Sequence, residues 1–254
     1  MTADNKLLWK STIIVALITS VIYFYSGSFF RGSWAFGEFP VTLWCVWLGI
    51  LGSTKIRIPI WLRAVLICSC VGLYFFFPHF NIQITGVTYM LKGLGALKYV
   101  VLFLFGLGIS PKLKQNDKFW ENLILFIVFL SLYIFVMLVE QRSSYTLYAL
   151  EAEPVGILLK VARYGKAIPL AAAIWFCIRL VLSDKIQKVF SKKGMSITAL
   201  VIILVLSILD LIRSVVSYGQ FQISVILTNP AISIMIILCI EKLAERLCSQ
   251  KCNI

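Results

Sequence analysis

Asp210 and Arg213 are the residues least like their surroundings, an acid and a base three positions apart inside the apolar run Ile197–Ser217. On a helix that spacing puts both on one face, about a turn apart. An ionised side chain at the centre of a bilayer costs at least about 2.5–3.5 kcal/mol on insertion scales. Placing a carboxylate beside a guanidinium offsets much of that cost, so the pair can either satisfy itself against neighbouring helices or line a polar cavity. Ionisable groups at membrane depth mark substrate and ion paths, which makes the cavity the reading to test.

Four further charges stand at similar depth near the ends of other apolar runs: Glu38, Lys98, Arg163 and Lys166. With Asp210 and Arg213 they make four cations against two acids. If the helix ends converge, these six residues form an outward-facing basic vestibule for an anionic head group, a phosphate or an acidic glycan. The expected substrate-binding set is therefore Asp210, Arg213, Arg163, Lys166, Lys98 and Glu38. The dipeptide Asn229-Pro230 lies in the last apolar run, where proline predicts a kink and freed backbone carbonyls beside the same region.

Other chemistry is poorly provided for. His79 is the single histidine, and HExxH, paired-histidine and CxxC patterns are absent. The seven cysteines, Cys45, Cys68, Cys70, Cys177, Cys239, Cys248 and Cys252, leave the expected outer loops without any disulfide framework. No serine sits in G-x-S-x-G. Gly93-Leu94-Gly95 and Gly106-Leu107-Gly108 belong to an apolar run and predict close helix packing rather than a phosphate loop. No catalytic residue, metal ligand or cofactor is expected.

The elements that position these residues are membrane helices. Of 254 residues 60% are hydrophobic and only 14% are charged, with mean hydropathy +0.93. A soluble domain of this size would lack the polar residues to cover its surface. The apolar blocks predict about eight spans, near residues 7–25, 36–51, 58–77, 89–109, 119–139, 167–183, 197–217 and 221–240. The second and sixth are short. Nothing in Met1–Tyr25 reads as a cleaved signal peptide, so the first run is expected to stay as a span.

Charge placement tests the count. With the N-terminus inside and eight crossings, sixteen basic residues fall inside and eight outside. That two-to-one bias is the positive-inside pattern, and dropping one span would carry the basic Lys185–Lys193 loop outside. Both termini are therefore expected to be cytoplasmic. The longest polar stretch, 140–166, is expected outside. Its run Val155, Leu158, Leu159 and Ala162 has helical spacing, as in an amphipathic segment lying in the interface or an extended start to the sixth span.

The fold class is then all-α, a single polytopic transmembrane helical bundle over residues 1–254. The net charge of +13 is distributed as short clusters between apolar blocks, which suits lipid head groups and excludes a dense nucleic-acid-binding arm. The expected partners are the lipid bilayer, an anionic lipid or glycan substrate, and a partner protein or a second copy of the chain; nucleic acid is not among them. Transport or export of such a substrate, in a bacterial inner membrane, ranks first. A membrane interaction protein, such as a toxin-immunity or phage-defence component, ranks second. An enzyme acting on a lipid-linked sugar at the outer face ranks third, with Arg142, Arg163, Glu151 and Glu153 as the groups it would use.

Overall fold

The computed structural model describes residues 3–29, 34–55, 58–76, 100–109, 117–150, 161, 165–218 and 229–251. Among them every regular element is a helix: α1 (Ala3–Phe29), α2 (Trp34–Lys55), α3 (Ile60–Phe76), α4 (100–108), α5 (Phe119–Leu150), α6 (Ala167–Val181), α7 (Asp184–Phe190), α8 (Lys193–Tyr218) and α9 (Pro230–Lys251). Three contain stretches long and apolar enough to cross a membrane, Leu7–Phe24, Phe119–Glu140 and Gly194–Ile212, and shorter apolar stretches occur in α2, α3, α6 and α9.

The distribution of burial is inverted relative to a water-soluble protein. On α5 the residues Trp120, Ile124, Ile127, Val128, Leu132, Phe135 and Leu138 are exposed, and their three- and four-residue spacing makes one continuous apolar face. The opposite face carries Asn122, Tyr133 and Met137 inward. On α8 the exposed face is Ile197, Leu200, Val201, Leu204, Val205, Ile208 and Ile212, while Ala199, Ile203 and Ser207 point in. Large apolar faces outside and hydroxyls inside are what hydrocarbon as solvent selects. The chain is an integral membrane protein.

α1 and α2 form the centre. Residues 39–47 of α2 are buried on every side, as are Ser11, Thr12, Ile14, Val15, Ala16, Thr19 and Ser20 of α1. In lipid there is no hydrophobic force to press helices together, so close packing and interhelical hydrogen bonds must do it. Both are present. The buried indoles each find an acceptor, Trp47 Nε1 donating to Thr12 Oγ1 at 3.2 Å and Trp44 Nε1 to Ser233 Oγ at 3.3 Å. The Thr12 hydroxyl in turn donates to the Leu8 carbonyl at 2.8 Å. Where α2 meets α4, a Cβ added to Gly49 would land on the Phe103 carbonyl oxygen and one added to Gly106 on that of Val46. Backbone meets backbone there, so the packing predicted from Gly106 is found.

The short helix α7 is tied beneath α1. Gln187 donates to Ser11 Oγ at 3.0 Å and to the Val181 carbonyl at 2.8 Å, and Lys10 Nζ donates to Ser191 Oγ at 3.0 Å. α7 therefore anchors the start of α8 at the N-terminal end of α1. The 15-residue α6 ends at Val181, and Ser183 in extended conformation (ψ 146°) separates it from α7.

α5 and α6 form an antiparallel pair in which Phe129 and Phe176 stack at 5.6 Å. One rim of the pair carries Lys185 over Trp120 at 4.7 Å and over Phe119 at 5.2 Å, with Lys118 and Glu121 joined at 2.9 Å. The other carries the ion pair Glu140–Lys166 at 3.0 Å. From Trp120 to Glu140 is about 30 Å at 1.5 Å per residue, one hydrocarbon thickness.

Several predicted boundaries move. α2 covers 22 residues against the expected 36–51 and carries Pro40 inside it, while its apolar stretch, Phe39–Thr54, remains one of the shorter ones. α5 continues to Leu150, eleven residues past the expected end, which makes the start of the polar stretch 140–166 helical; the amphipathic run at 155–162 falls largely outside the described residues. α9 is helical from Pro230 on, and the first part of the expected span, 221–228, lies outside the described residues. At the predicted kink Asn229 Oδ1 accepts from the backbone N–H groups of Ala231 and Ile232 at 3.2 and 3.4 Å, with proline at the first helical position. Removing the cap, Asn229→Ala, is expected to destabilise by about 1 kcal/mol. A thermal melt in detergent checks this, and an unchanged midpoint would count against the cap.

Candidate functional site

Two cavities adjoin the residues singled out by the sequence. The larger, about 380 Å³, lies between α2, α3, α4 and α6. One wall is a face of α6 from Ala167 to Ile178; the opposite wall is Val101, Leu102 and Phe105 of α4, and Thr42 with Val46 of α2 forms the floor. The lining is apolar apart from the Thr42 hydroxyl and Cys70. Ile168 and Trp175 stand on its edge and are 71% and 40% exposed, so the cavity is a groove reachable from the side of the bundle. α6 presents this face because Ala167, Ala171 and Ile174 recur every three to four residues, and the two alanines leave the room that larger residues would fill.

The second cavity, about 10 Å³, lies where α1, α8 and the start of α9 meet. Ser20, Tyr23, Phe24, Leu206, Ser207, Asp210, Asn229 and Pro230 line it. Asp210 continues the inward stripe Ala199, Ile203, Ser207, which explains why it faces neighbouring helices rather than lipid. Asn229 Nδ2 donates to the Ser207 carbonyl at 3.3 Å and so ties α9 to α8. The Ser20 and Ser207 hydroxyls are buried without a hydrogen-bond partner, and so is that of Thr19 beside them.

Of the six predicted site residues, Lys166 and Asp210 are fully placed. Lys166 is joined to Glu140, each 14% exposed, at the head of the α5–α6 pair. Asp210 is in the wall of the small cavity. Glu38 and Arg213 are placed by backbone alone, in α2 and one turn beyond Asp210 in α8; their side chains lie outside the described residues. Lys98 and Arg163 lie outside them as well, as does His79. The described residues bring Asp210 together with Ser20, Ser207 and Asn229 instead.

Sequence reasoning passed over Ser20, Ser207 and the groove, and placed Asn229-Pro230 beside Asp210 only as a kink. Serines in apolar helices are common, and only the helix neighbours reveal which are buried against a void. Asn229 carried a signal: asparagine followed by proline is the pattern of a cap and a first helical turn. Among the described residues no three His, Cys, Asp or Glu side chains come together as a metal-holding group.

The arrangement thus offers an apolar groove open at its side, with the Glu140–Lys166 pair next to its first residue, and separately a small polar cavity at a helix start inside the membrane. No family model, no curated protein and no solved structure matches the chain.

Proposed function

We infer that this integral membrane protein binds and moves an anionic lipid or a lipid-linked glycan, with the acyl portion of the substrate in the α2–α3–α4–α6 groove. The observation that carries this reading is the groove itself: about 380 Å³, almost wholly apolar, and edged by the exposed Ile168 and Trp175. Ligand sites are concave and mostly apolar with a few polar groups at one end. Here the polar end is supplied by sequence: Lys160, Arg163 and Lys166 immediately precede Ala167, which opens the α6 wall. An acidic head group at that end, with its chain descending along Ala171, Ile174 and Ile178, matches both features.

Sidedness follows from the excess of basic residues on one set of loops. It supports an N-terminus and C-terminus in the cytoplasm and the Glu140–Lys166 rim on the outer side, while the minimal loops favour a bacterial inner membrane. Asp210, Arg213, Arg163, Lys166, Lys98 and Glu38 remain the proposed contacts for the polar part of the substrate. A partner protein or second copy that supplies energy or completes the path is part of the proposal.

The test is lipid movement in proteoliposomes. Fluorescent phosphatidylglycerol in the inner leaflet is expected to become accessible to a membrane-impermeant quencher faster than in protein-free vesicles. Ala171→Trp, which fills the groove, is expected to reduce that rate about tenfold. Photolabelling with an acyl-chain probe supplies the second readout, with label expected on α6 and lost in Ala171→Trp. Equal rates and equal α6 labelling in the two proteins would remove the groove from the function.

A further inference from the structure

We propose that the outward face of α7 is a docking site for the head group of an anionic phospholipid, whose phosphate is bound by Lys185, Lys188 and Lys192. The site lies at the rim opposite the Glu140–Lys166 pair and shares no residue with the apolar groove, so it stands whether or not the groove carries a lipid. The first support is how α7 is held. Ile186 and Phe190 pack against the core, and Gln187 is buried and donates to Ser11 Oγ and the Val181 carbonyl. Lys10 Nζ closes the far end on Ser191 Oγ. These ties decide which side of α7 is left outside. That side carries Lys185, Lys188 and Val189, all exposed. Ser191 keeps helical angles (φ −71°, ψ −22°), so the exposed Lys192 continues the row at three- and four-residue spacing. Apolar residues toward the bundle and lysines away from it are the build of an element lying in the membrane interface.

The second support is depth. Lys185 Nζ lies 4.7 Å from the ring centre of Trp120 and 5.2 Å from that of Phe119. Trp120 is exposed and opens the apolar face of α5, the place where tryptophan marks the level of the head groups. The rings thus hold Lys185 at phosphate height, and Trp120 and Val189 give an acyl chain apolar surface beside it. The third support is charge. Among the described residues none of the three lysines is paired with an acid. Glu121 on the same rim is joined to Lys118 at 2.9 Å, and neither Asp117 nor Asp184 is an ion-pair partner of the three. Three uncompensated ammonium groups on one face favour an anionic lipid over a zwitterionic one, which brings its own cation. An acidic protein segment would meet the same charge but would gain nothing from the aromatic residues at hydrocarbon depth.

The experiment is native mass spectrometry of the purified full-length protein titrated with phosphatidylglycerol or phosphatidylcholine. It is repeated in Ala171→Trp, so that a lipid in the groove is counted separately. Phosphatidylglycerol is expected to bind at least about tenfold more tightly than phosphatidylcholine in both proteins. A lysine near the surface contributes about fivefold, so Lys185→Gln is expected to weaken phosphatidylglycerol binding by about that factor. Lys185→Gln/Lys188→Gln/Lys192→Gln is expected to weaken it about a hundredfold and to leave the thermal midpoint in phosphatidylcholine unchanged, since the three side chains are exposed. Lys185→Arg/Lys188→Arg/Lys192→Arg keeps the charge and is expected to keep the affinity. Equal affinities for the two lipids overturn the site, and so does a phosphatidylglycerol affinity that survives the triple glutamine substitution. If glycerol 1-phosphate, a head group with no chain, binds as tightly as phosphatidylglycerol, the face takes a soluble phosphate and the lipid reading falls. If polyglutamate binds there more tightly than phosphatidylglycerol, the face fits an acidic protein segment, which also overturns it.

Discussion

Leucine in place of Gly106 is expected to prevent α2 and α4 from docking, leaving little or no monodisperse protein after detergent extraction. The cause is local and severe. A Cβ at Gly106 meets the carbonyl oxygen of Val46, and one at Gly49 meets that of Phe103 and lies 2.6 Å from the Leu107 nitrogen. These are backbone atoms in the middle of two helices, so they cannot turn aside as a side-chain tip can. The helices must separate, and separation takes Val46, Leu102 and the apolar floor of the groove with it. Overpacking of an ordinary core costs about 1–3 kcal/mol. Insertion against helix backbone belongs with the exceptional losses above about 4 kcal/mol. Gly106→Ala is expected to fall between wild type and Gly106→Leu in thermal midpoint. Gly194→Ala, at a position where an added Cβ meets nothing within 4 Å, is the control and is expected to be neutral or slightly stabilising. A Gly106→Leu protein that melts with the wild type would show that α2 and α4 do not cross at this point.

How much of this was readable in advance depends on the range of the interaction. The apolar faces of α5 and α8 follow from composition and three-to-four-residue spacing, because hydrocarbon acts on each helix separately. The glycines of α4 were readable for the same reason: a residue with no side chain in a membrane helix has few uses other than close approach. Boundaries were less so. α2 begins at Trp34, two residues before the expected start at 36, and ends at Lys55, four residues past the expected end at 51. At Asn229-Pro230 the sequence predicts a kink, and the structure adds that the Asn229 side chain caps the amides that follow it.

The small cavity was half legible. Asp210 was singled out because a charge in an apolar run is conspicuous. Ser20 and Ser207 were not, because their significance lies in facing each other across 187 positions of sequence. The tie between Gln187 and Ser11 was hidden for the same reason, at a separation of 176. The groove has no sequence signature at all. It exists where small residues of α6 fail to fill the space left by α2 and α4, and absence of volume is a property of the assembled bundle.

The pair Glu140–Lys166 shows what that lesson means for charge, and it carries the second large expected effect. Lys166 counted among the cations of an outer vestibule, and Glu140 as the first residue of an outer loop. The structure joins them at 3.0 Å with each side chain 14% exposed, where α5 and α6 approach, at a sequence separation of 26. Removing one member of this part-buried pair takes from the other its partner at 3.0 Å, a loss of about 1–3 kcal/mol. Glu140→Ala and Lys166→Ala are therefore each expected to lower the thermal midpoint strongly. The double variant Glu140→Ala/Lys166→Ala is expected to lose less than the sum of the two singles, the excess being the coupling of the pair. Glu140→Lys/Lys166→Glu is expected to recover more than either single substitution. The two singles also separate structure from substrate contact. If the pair only clamps the α5–α6 hairpin, lipid movement follows stability in the singles and the double variant alike. If Lys166 also meets the substrate head group, the variants without it lose more transport rate than their melting points account for.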